Sequence, residues 1–548
     1  MAVDSNCLWF AGHGQPPLNE VILLQRKGAK RLKKLPPHRI SQLLFLVAFV
    51  VLFLMTEYRG SDRIVAAVNG FFRANPLTAL STMLAAKAWV PLLLPGALIL
   101  LLSLLLGRFF CGWLCPLGTI LDLVTKRIRK AASPLIFNRS VKYWLLLPLL
   151  TASLFNLNLA GLLDPIAILL RGLTFFVHPL LGDSVRGSWR GLYHLIGENR
   201  DLIAPGYKLI SGYLLPYREA LYPLAFTSAA LLGGIVFLER YGNRTWCRHL
   251  CPLGTLVGIA ARFSPLVRAP EAPCSPCRKC ATACQSGFDR ELMQKEECFS
   301  CMSCVHACPT GRVNFSFGFH AETAPFMERR VFLGGIFSGF IMARLLRFRD
   351  PAKESRLLRP PGVRSEDEFL RKCVRCGECM KVCLRSALYP AFSQAGIEGL
   401  YTPVLIPRLG YCEYNCTLCG QVCPTGAIPD LPPEEKKRQV IGKAVFDKNH
   451  CIPFAKRIDC IVCEEHCPIP QKAIRSEIQT MTGFDGVNRK VKAPYVVEEL
   501  CNGCGICEKV CPLEGKAGVE VFAVKDRTPL NDSATIGRTA PAVEDPYR

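Results

Sequence analysis

Several signatures are missing from this 548-residue chain, and each absence removes a class of chemistry. No Cys-x-x-Cys-His run occurs, which argues against covalent c-type haem. Neither a Gly-x-Gly-x-x-Gly strand-turn-helix fingerprint nor a P-loop is present, so no nucleotide site is legible. Histidine is scarce, with 9 residues. His178, His194 and His249 stand alone, without the paired placement on facing helices that a haem requires, and are read as structural or surface residues. Acids are outnumbered, 44 against 67 Lys and Arg, for a formal charge of +23. That surplus has no aromatic-basic pattern of the kind that binds nucleic acid; much of it flanks apolar stretches, as positive-inside membrane anchoring would have it. Residues 1–39 lack the early apolar core of a signal peptide and carry Arg26, Lys27, Lys30, Arg31, Lys33, Lys34 and Arg39, a basic cytoplasmic leader.

Cysteine is abundant, with 29 residues. Residues 274–308 hold two CxxCxxCxxxC runs: Cys274, Cys277, Cys280 and Cys284, then Cys298, Cys301, Cys304 and Cys308 followed by Pro309. In the bacterial ferredoxin spacing three thiolates wrap one 4Fe-4S cube and the fourth reaches to its neighbour. That rule assigns Cys274, Cys277, Cys280 and Cys308 to one cluster and Cys298, Cys301, Cys304 and Cys284 to the other. Zinc and disulfides are the competing readings, but zinc sites seldom string eight cysteines at these offsets. Four more quartets follow: Cys373, Cys376, Cys379 and Cys383; Cys412, Cys416, Cys419 and Cys423; Cys451, Cys460, Cys463 and Cys467; Cys501, Cys504, Cys507 and Cys511. All 24 are expected as iron ligands of six 4Fe-4S clusters. Cys7, Cys111, Cys115, Cys247 and Cys251 remain.

Mean hydropathy is +0.23, which points partly into a membrane. Apolar stretches at 40–55, 89–106, 143–163 and 221–238 are expected to span it. With a cytoplasmic N-terminus, the loop 107–142 lies inside, and its Arg108, Lys126, Arg127, Arg129, Lys130, Arg139 and Lys142 agree with that. Residues 165–182 are apolar but interrupted by Arg171 and His178, so a re-entrant or interfacial helix is expected there. Asp164 before Pro165 reads as a helix N-cap, and with Arg171 on the same face also as a candidate quinone-proximal pair.

The second and fourth stretches end in near copies, FFCGWLCPLGTILDL at 109–123 and TWCRHLCPLGTLVGI at 245–259. This is an internal duplication. Cysteines at i and i+4 share a helix face, and the proline ends that turn. Cys111, Cys115, Cys247 and Cys251 are therefore expected either as a further metal or redox site or as buried thiols packing the helix ends.

These motifs within 1–320 resemble the NapH/MauN family of membrane ferredoxins, whose core is shared with NosR and CcoG proteins. The run LLRPPGVRSEDEFLRKCVRCGECMKVC resembles the NapG/MauM family of four-cluster ferredoxins. By that analogy the first of the four later quartets exchanges its fourth cysteine with the last and the second with the third, with sequential pairing as the alternative. The chain thus reads as a fusion of two partners. Between them, MERRVFLGGIFSGFIMARLL resembles a twin-arginine export signal, although Glu328 replaces the usual Ser or Thr. The run 331–342 either crosses as a fifth helix or lies on the membrane surface.

The fold class expected is an α-helical membrane domain of about four transmembrane helices plus a candidate fifth, with two α+β bacterial-ferredoxin-like 4Fe-4S domains. Its divisions are a basic segment at 1–39, the membrane domain at 40–264, a two-cluster domain at 265–326, the junction at 327–349, a four-cluster domain at 350–525 and a disordered tail at 526–548. The resemblances imply electron transfer at the bacterial cytoplasmic membrane, from quinol through 4Fe-4S clusters to a redox partner such as a periplasmic reductase or a multihaem cytochrome. Residues 265–326 would be cytoplasmic and 350–548 periplasmic, with no nucleic-acid partner. Two other readings stay open: electrons supplied for maturation or regulation of a metalloprotein, or passed from the cytoplasmic side to quinone. Arg278, Lys279, Arg371, Lys372 and Arg375 either raise cluster potentials or form a solvated surface.

Overall fold

The computed structural model describes residues 36–128, 140–196, 204–217, 221–270, 279–286, 295–309, 311, 313–318, 327–347, 356–483, 486–524, 527 and 530. Cys274, Cys277, nearly all of the basic leader and most of the tail lie outside them.

A helix at Pro37–Met55 has proline at its first position, where a missing N–H costs nothing, and runs 19 residues. Its Ile40, Leu43, Leu44, Val47, Val51 and Met55 are exposed, whereas Phe49 and Phe53 are buried. The same division marks Leu94–Leu106, where Leu94, Leu98, Leu101 and Leu105 are exposed around buried Gly96 and Ser103. An apolar outer belt of this size is costly in water.

Two described helices are long and apolar enough to cross a bilayer, Pro37–Met55 and the run 165–195. Across the latter, where a re-entrant or interfacial helix is expected, the helix is continuous. The chain continues from Pro165–Gly172 through a π-helical turn at Leu173–Val177 into His178–Ile196 without a break. Arg171 and His178 do not interrupt it because both are buried against protein. The other expected spans contain shorter helices: Leu94–Leu106, Val141–Leu154 and Ala225–Leu238.

The junction forms a helix at Arg329–Leu345. It packs lengthwise on Val141–Leu154, burying Val331, Gly335, Gly339 and Ala343 at four-residue intervals. A Cβ on Gly339 would lie 2.7 Å from Thr151 and 2.8 Å from the Pro148 carbonyl, so glycine is what permits the approach. Trp144 meets Gly334 near one end, and Phe340 meets Phe155 near the other, so the two helices run parallel.

Each ferredoxin-like unit is closed by antiparallel strands. β1 (Leu266–Pro270) pairs with β2 (Val313–Phe317) around the two-run module. In the C-terminal domain, β3 (Leu388–Pro390) pairs with β4 (Pro403–Leu405) between its first two runs. β5 (Lys443–Phe446) pairs with β8 (Val519–Phe522), enclosing the third and fourth runs, and the hairpin of β6 (Ile474–Thr482) and β7 (Asn488–Val496) is inserted between them.

The two modules meet opposite ends of Pro37–Met55. His38 Nε2 lies 3.1 Å from Ser303 Oγ at its start, and Lys381 Nζ donates to the Thr56 carbonyl at 2.9 Å beyond its end. At 1.5 Å per residue, those 19 residues separate the modules by about 28 Å.

Candidate metal centres

The duplicated motif builds a symmetric core. Cys111 lies in a π-helical turn, Phe110–Leu114, and Cys115 stands at the N-terminus of Pro116–Ile128. Cys247 lies in Thr245–His249, and Cys251 is the N-cap of Pro252–Arg262. The expected single helix face is therefore corrected: proline ends one turn and starts a new helix, so the second cysteine of each copy is a cap. Gly254 N donates to Cys251 Sγ at 3.2 Å, and Gly118 N donates to Cys115 likewise. Two helix N-termini thus face these sulfurs and favour negative charge there. Thr119 and Thr255 donate back to the Cys115 and Cys251 carbonyls.

Two arginines exchange between the copies, and the sequence reading missed their role. Arg244 donates to the Cys111 carbonyl at 2.6 Å, while Arg108 donates to the Cys247 carbonyl at 3.0 Å. Each precedes the first cysteine of its own copy by three positions, so R-x-x-C-x-x-x-C-P-L-G-T was the longer signal. Arg108 and Lys142 are also not anchoring charges in solvent. Both are buried and pair with Glu297. Arg244 forks onto Asp122 at 2.9 and 2.8 Å, holding that carboxyl below its ordinary range despite burial.

All four thiols are buried in one core. Burial pushes Cys115 up to about 12, with Cys111 adding to it; burial and then Cys111 raise Cys251, and burial and then Cys251 raise Cys247. Bare thiolates are disfavoured there, whereas four soft donors around a cationic iron-sulfur core suit one another.

In the 274–308 module, Cys298 is pushed up to about 12 by burial and further by Cys301, Cys284 and Cys304. The structure therefore brings together the described exchanged set, with Cys284 joining the second run. Phe299, inside that run, lies 4.7 Å from the Arg108 guanidinium and 4.8 Å from that of Arg244. A Cβ on Gly112 would fall 2.3 Å from the Phe299 carbonyl, so the cluster loop rests directly on the first CxxxCP turn.

The C-terminal thiols pair sequentially, which corrects the first-with-last expectation. One hollow is lined by Cys373, Cys376, Cys379 and Cys423, and another by Cys383, Cys412, Cys416 and Cys419. Beyond burial, Cys451 is raised by Cys460 and Cys511, while Cys501 and Cys504 sense Cys467. Each adjacent pair of runs thus exchanges its fourth cysteine. Local closure accompanies this: β5 and β8 enclose the third and fourth runs in one unit. The units then join where Cys412 N donates to the Cys504 carbonyl at 2.9 Å. Among the described residues no three His, Cys, Asp or Glu side chains sit close enough to share one ion, and a cube is a wider guest.

Asp164 and Arg171 are buried and engaged. Asp164 caps its helix by accepting from Ala167 N at 2.9 Å and also accepts from Asn75 at 2.6 Å. Arg171 donates to the Leu162 carbonyl at 2.9 Å and lies 4.5 Å from the Tyr401 ring. Arg375 is buried too, donating to the carbonyls of Leu400 and Glu398, so it is no solvated surface charge. His178 is buried, with Nε2 3.1 Å from the Leu214 carbonyl.

Comparison with known proteins converges on these cysteines. A family model described as a 4Fe-4S binding domain matches residues 88–134 and again 224–270, one match over each CxxxCP copy. A second 4Fe-4S binding domain model matches 494–514. No solved structure matches. The YccM protein of Escherichia coli (strain K12), whose name assigns it provisionally to electron transport, is 27% identical over 216 residues, 38% of this chain and 51% of its own. The ferredoxin-type protein NapG of the same strain is 37% identical over 162 residues, 29% of this chain and 68% of its own. The methylamine utilization ferredoxin-type protein MauM of Methylorubrum extorquens is 37% identical over 172 residues, 31% of this chain and 74% of its own. With three quarters of a MauM protein matched at that identity, the chain belongs to the MauM/NapG family of ferredoxin-type proteins.

Proposed function

We propose that this iron-sulfur electron-transfer protein is an inner-membrane conduit that takes electrons from quinol and delivers them through 4Fe-4S clusters to a redox partner on the far side. Bound clusters would supply single-electron storage at the six cysteine quartets and at the CxxxCP tetrathiol.

One observation carries the reading. A single buried core contains Cys301 of the two-run module, all four CxxxCP thiols, and Cys376 of the C-terminal domain. Two modules about 28 Å apart, close to the thickness of a hydrocarbon layer, are thereby joined through one protein interior. Phe299 covers the step from the first module, because its ring lies between the two motif arginines. Arg171 and Arg375 secure the far step: Arg171 donates to the Arg375 carbonyl at 3.4 Å, and Arg375 to the Asn158 carbonyl. A Cβ on Gly161 would lie 2.0 Å from the Val374 carbonyl, so the C-terminal loop sits directly on the helical domain. The parallel course of Arg329–Leu345 along Val141–Leu154 supports a fifth crossing that carries residues 350–548 to the periplasm.

Two measurements test this. A menaquinol analogue is expected to bleach the cluster absorbance of the purified full-length protein; no bleaching by any potential-matched quinol removes quinol as donor. Protease added to spheroplasts is expected to cut within 356–524 and spare 295–318. Protection of both places both modules inside.

A further inference from the structure

We propose that Lys436 is the counter-ion of the centre formed by Cys383, Cys412, Cys416 and Cys419 and that it sets the reduction potential of that centre. The inference rests on iron-sulfur binding at this quartet and is independent of quinol as the donor.

In sequence Lys436 stands within PEEKKR, a charged run that ordinarily reads as a solvated face. That run forms the short helix Pro433–Arg438, and Lys436 is the residue it turns inward, 3% exposed. A buried ammonium is costly unless an opposite charge meets it. Lys142, the other buried lysine among the described residues, follows that rule by pairing with Glu297. Lys436 pairs with no carboxylate among the described residues: Glu413 is taken by Arg385 at 2.6 Å and Glu434 by Lys437 at 2.9 Å. Its Nζ donates instead to the Tyr414 carbonyl at 3.0 Å and to the Glu413 carbonyl. An ammonium has a further hydrogen, and the group it meets is the Cys412 side chain, with Cys416 and Cys419 also opposite. The sulfurs of the quartet are thus the negative charge that offsets Lys436.

The consequence is electrochemical. Four thiolates around an iron-sulfur core carry net negative charge, and a one-electron reduction adds to it without making or breaking a bond to the protein. Lys436 therefore stabilises the reduced form more than the oxidised one, and burial leaves that attraction little screened. Net charge and hydrogen bonds to sulfur are general determinants of cluster potential. Place gives the effect a use. Cys383 comes from the first of the later runs, and Cys412 N donates to the Cys504 carbonyl of the last, so this quartet stands where the two halves of the C-terminal domain join. A raised potential there holds an electron arriving from the upstream centres at the junction before it passes to the set that includes Cys501 and Cys504.

The test is a redox titration of the full-length protein in detergent, followed by electron paramagnetic resonance, with dithionite as reductant and iron measured alongside. Lys436→Gln keeps donors for the two carbonyls and removes the charge. At a fixed potential the reduced-to-oxidised ratio of one centre is expected to fall about tenfold, a midpoint lower by about 59 mV for one electron. Lys436→Arg should keep the midpoint near wild type, as should Lys437→Gln on the outer side of the same helix. Cys416→Ser with Cys419→Ser should delete the signal that Lys436→Gln moves. Wild-type midpoints in Lys436→Gln, or iron lost from it while the remaining centres titrate as before, make Lys436 a structural prop and overturn the proposal with the cluster still standing. If the double cysteine variant retains every signal and all its iron, no centre is held there and the reading beneath falls as well.

Discussion

The two CxxxCP copies share cysteine, proline, glycine and threonine positions, yet each arginine finds its acid in a different place. Arg244 pairs with Asp122, eleven positions beyond Cys111 in the first copy. The equivalent position in the second copy is Gly258, where a Cβ would lie 2.9 Å from the Glu296 carbonyl. Arg108 takes its acid instead from Glu297, next to Cys298 in the two-run module. One copy is thus completed within the helical domain and the other by the ferredoxin, which ties the module to the motif. Duplication set the frame, and loss of symmetry at one residue opened a docking position.

The largest expected effect tests whether the copies form one centre. Cys111→Ser with Cys115→Ser should remove about four irons per chain and stop quinol-driven reduction while the six ferredoxin clusters persist. Cys247→Ser with Cys251→Ser should do the same. If each pair lowers iron by a different, independent amount, two separate sites replace the shared one.

Next comes the difference between the arginines. Arg244→Met leaves Asp122 buried with the partly exposed Arg39 as its remaining counterion and Gln42 as a neutral donor, and should cost about 3–5 kcal/mol, read as a fall in the unfolding midpoint. Arg108→Met should cost less, because Lys142 still pairs with Glu297. Equal losses would show that the counterion difference has no energetic weight.

The glycines give a smaller contrast. A Cβ at Gly254 would lie 2.8 Å from Arg108 Nη2 and 2.9 Å from the Cys247 carbonyl, whereas at Gly118 the nearest atoms are 3.2 and 3.4 Å away. Gly254→Ala should destabilise by about 1–3 kcal/mol and Gly118→Ala by less, measured in the same unfolding assay. The reverse order would contradict the asymmetry.

The smallest effect is one of pH. Burial raises Glu239 to about 7, although Thr125 and Arg244 N donate to it. The folded chain then holds a proton that the unfolded chain releases above about 4.5, so this stability is present in acid and lost as pH rises through about 7. Glu239→Gln should flatten that part of the stability profile, and an unchanged slope would assign it to another group.

Much of the site was legible in order along the chain. The cysteine offsets marked the runs that the 4Fe-4S family models and the buried thiols fall on, and the repeated CPLGT marked the duplication. The arginine exchange was not, because Arg108 and Arg244 resemble the ordinary basic flank of an apolar helix until their partners across the fold are known. Exchange among the C-terminal quartets was illegible for a similar reason. Identical CxxC spacings contain nothing that names a partner, and the analogy that chose first-with-last was overruled by β5 pairing with β8. A helix was expected through Arg171 and His178, but its unbroken length was not, because their charge and polarity predict an interruption and both are buried.

Sequence alone determined which residues are thiols at cluster spacing, where the apolar stretches lie and that one motif occurs twice. These are local properties, set by side-chain chemistry and by offsets of a few positions. Tertiary structure decided which runs exchange a cysteine, which acid meets each arginine, and that thiols of three regions share one interior. Those choices depend on contacts between residues up to about two hundred positions apart, such as Arg108 with Glu297 and Arg375 with Asn158. Packing alone brings such residues together, because no spacing along a chain encodes a distance through the fold.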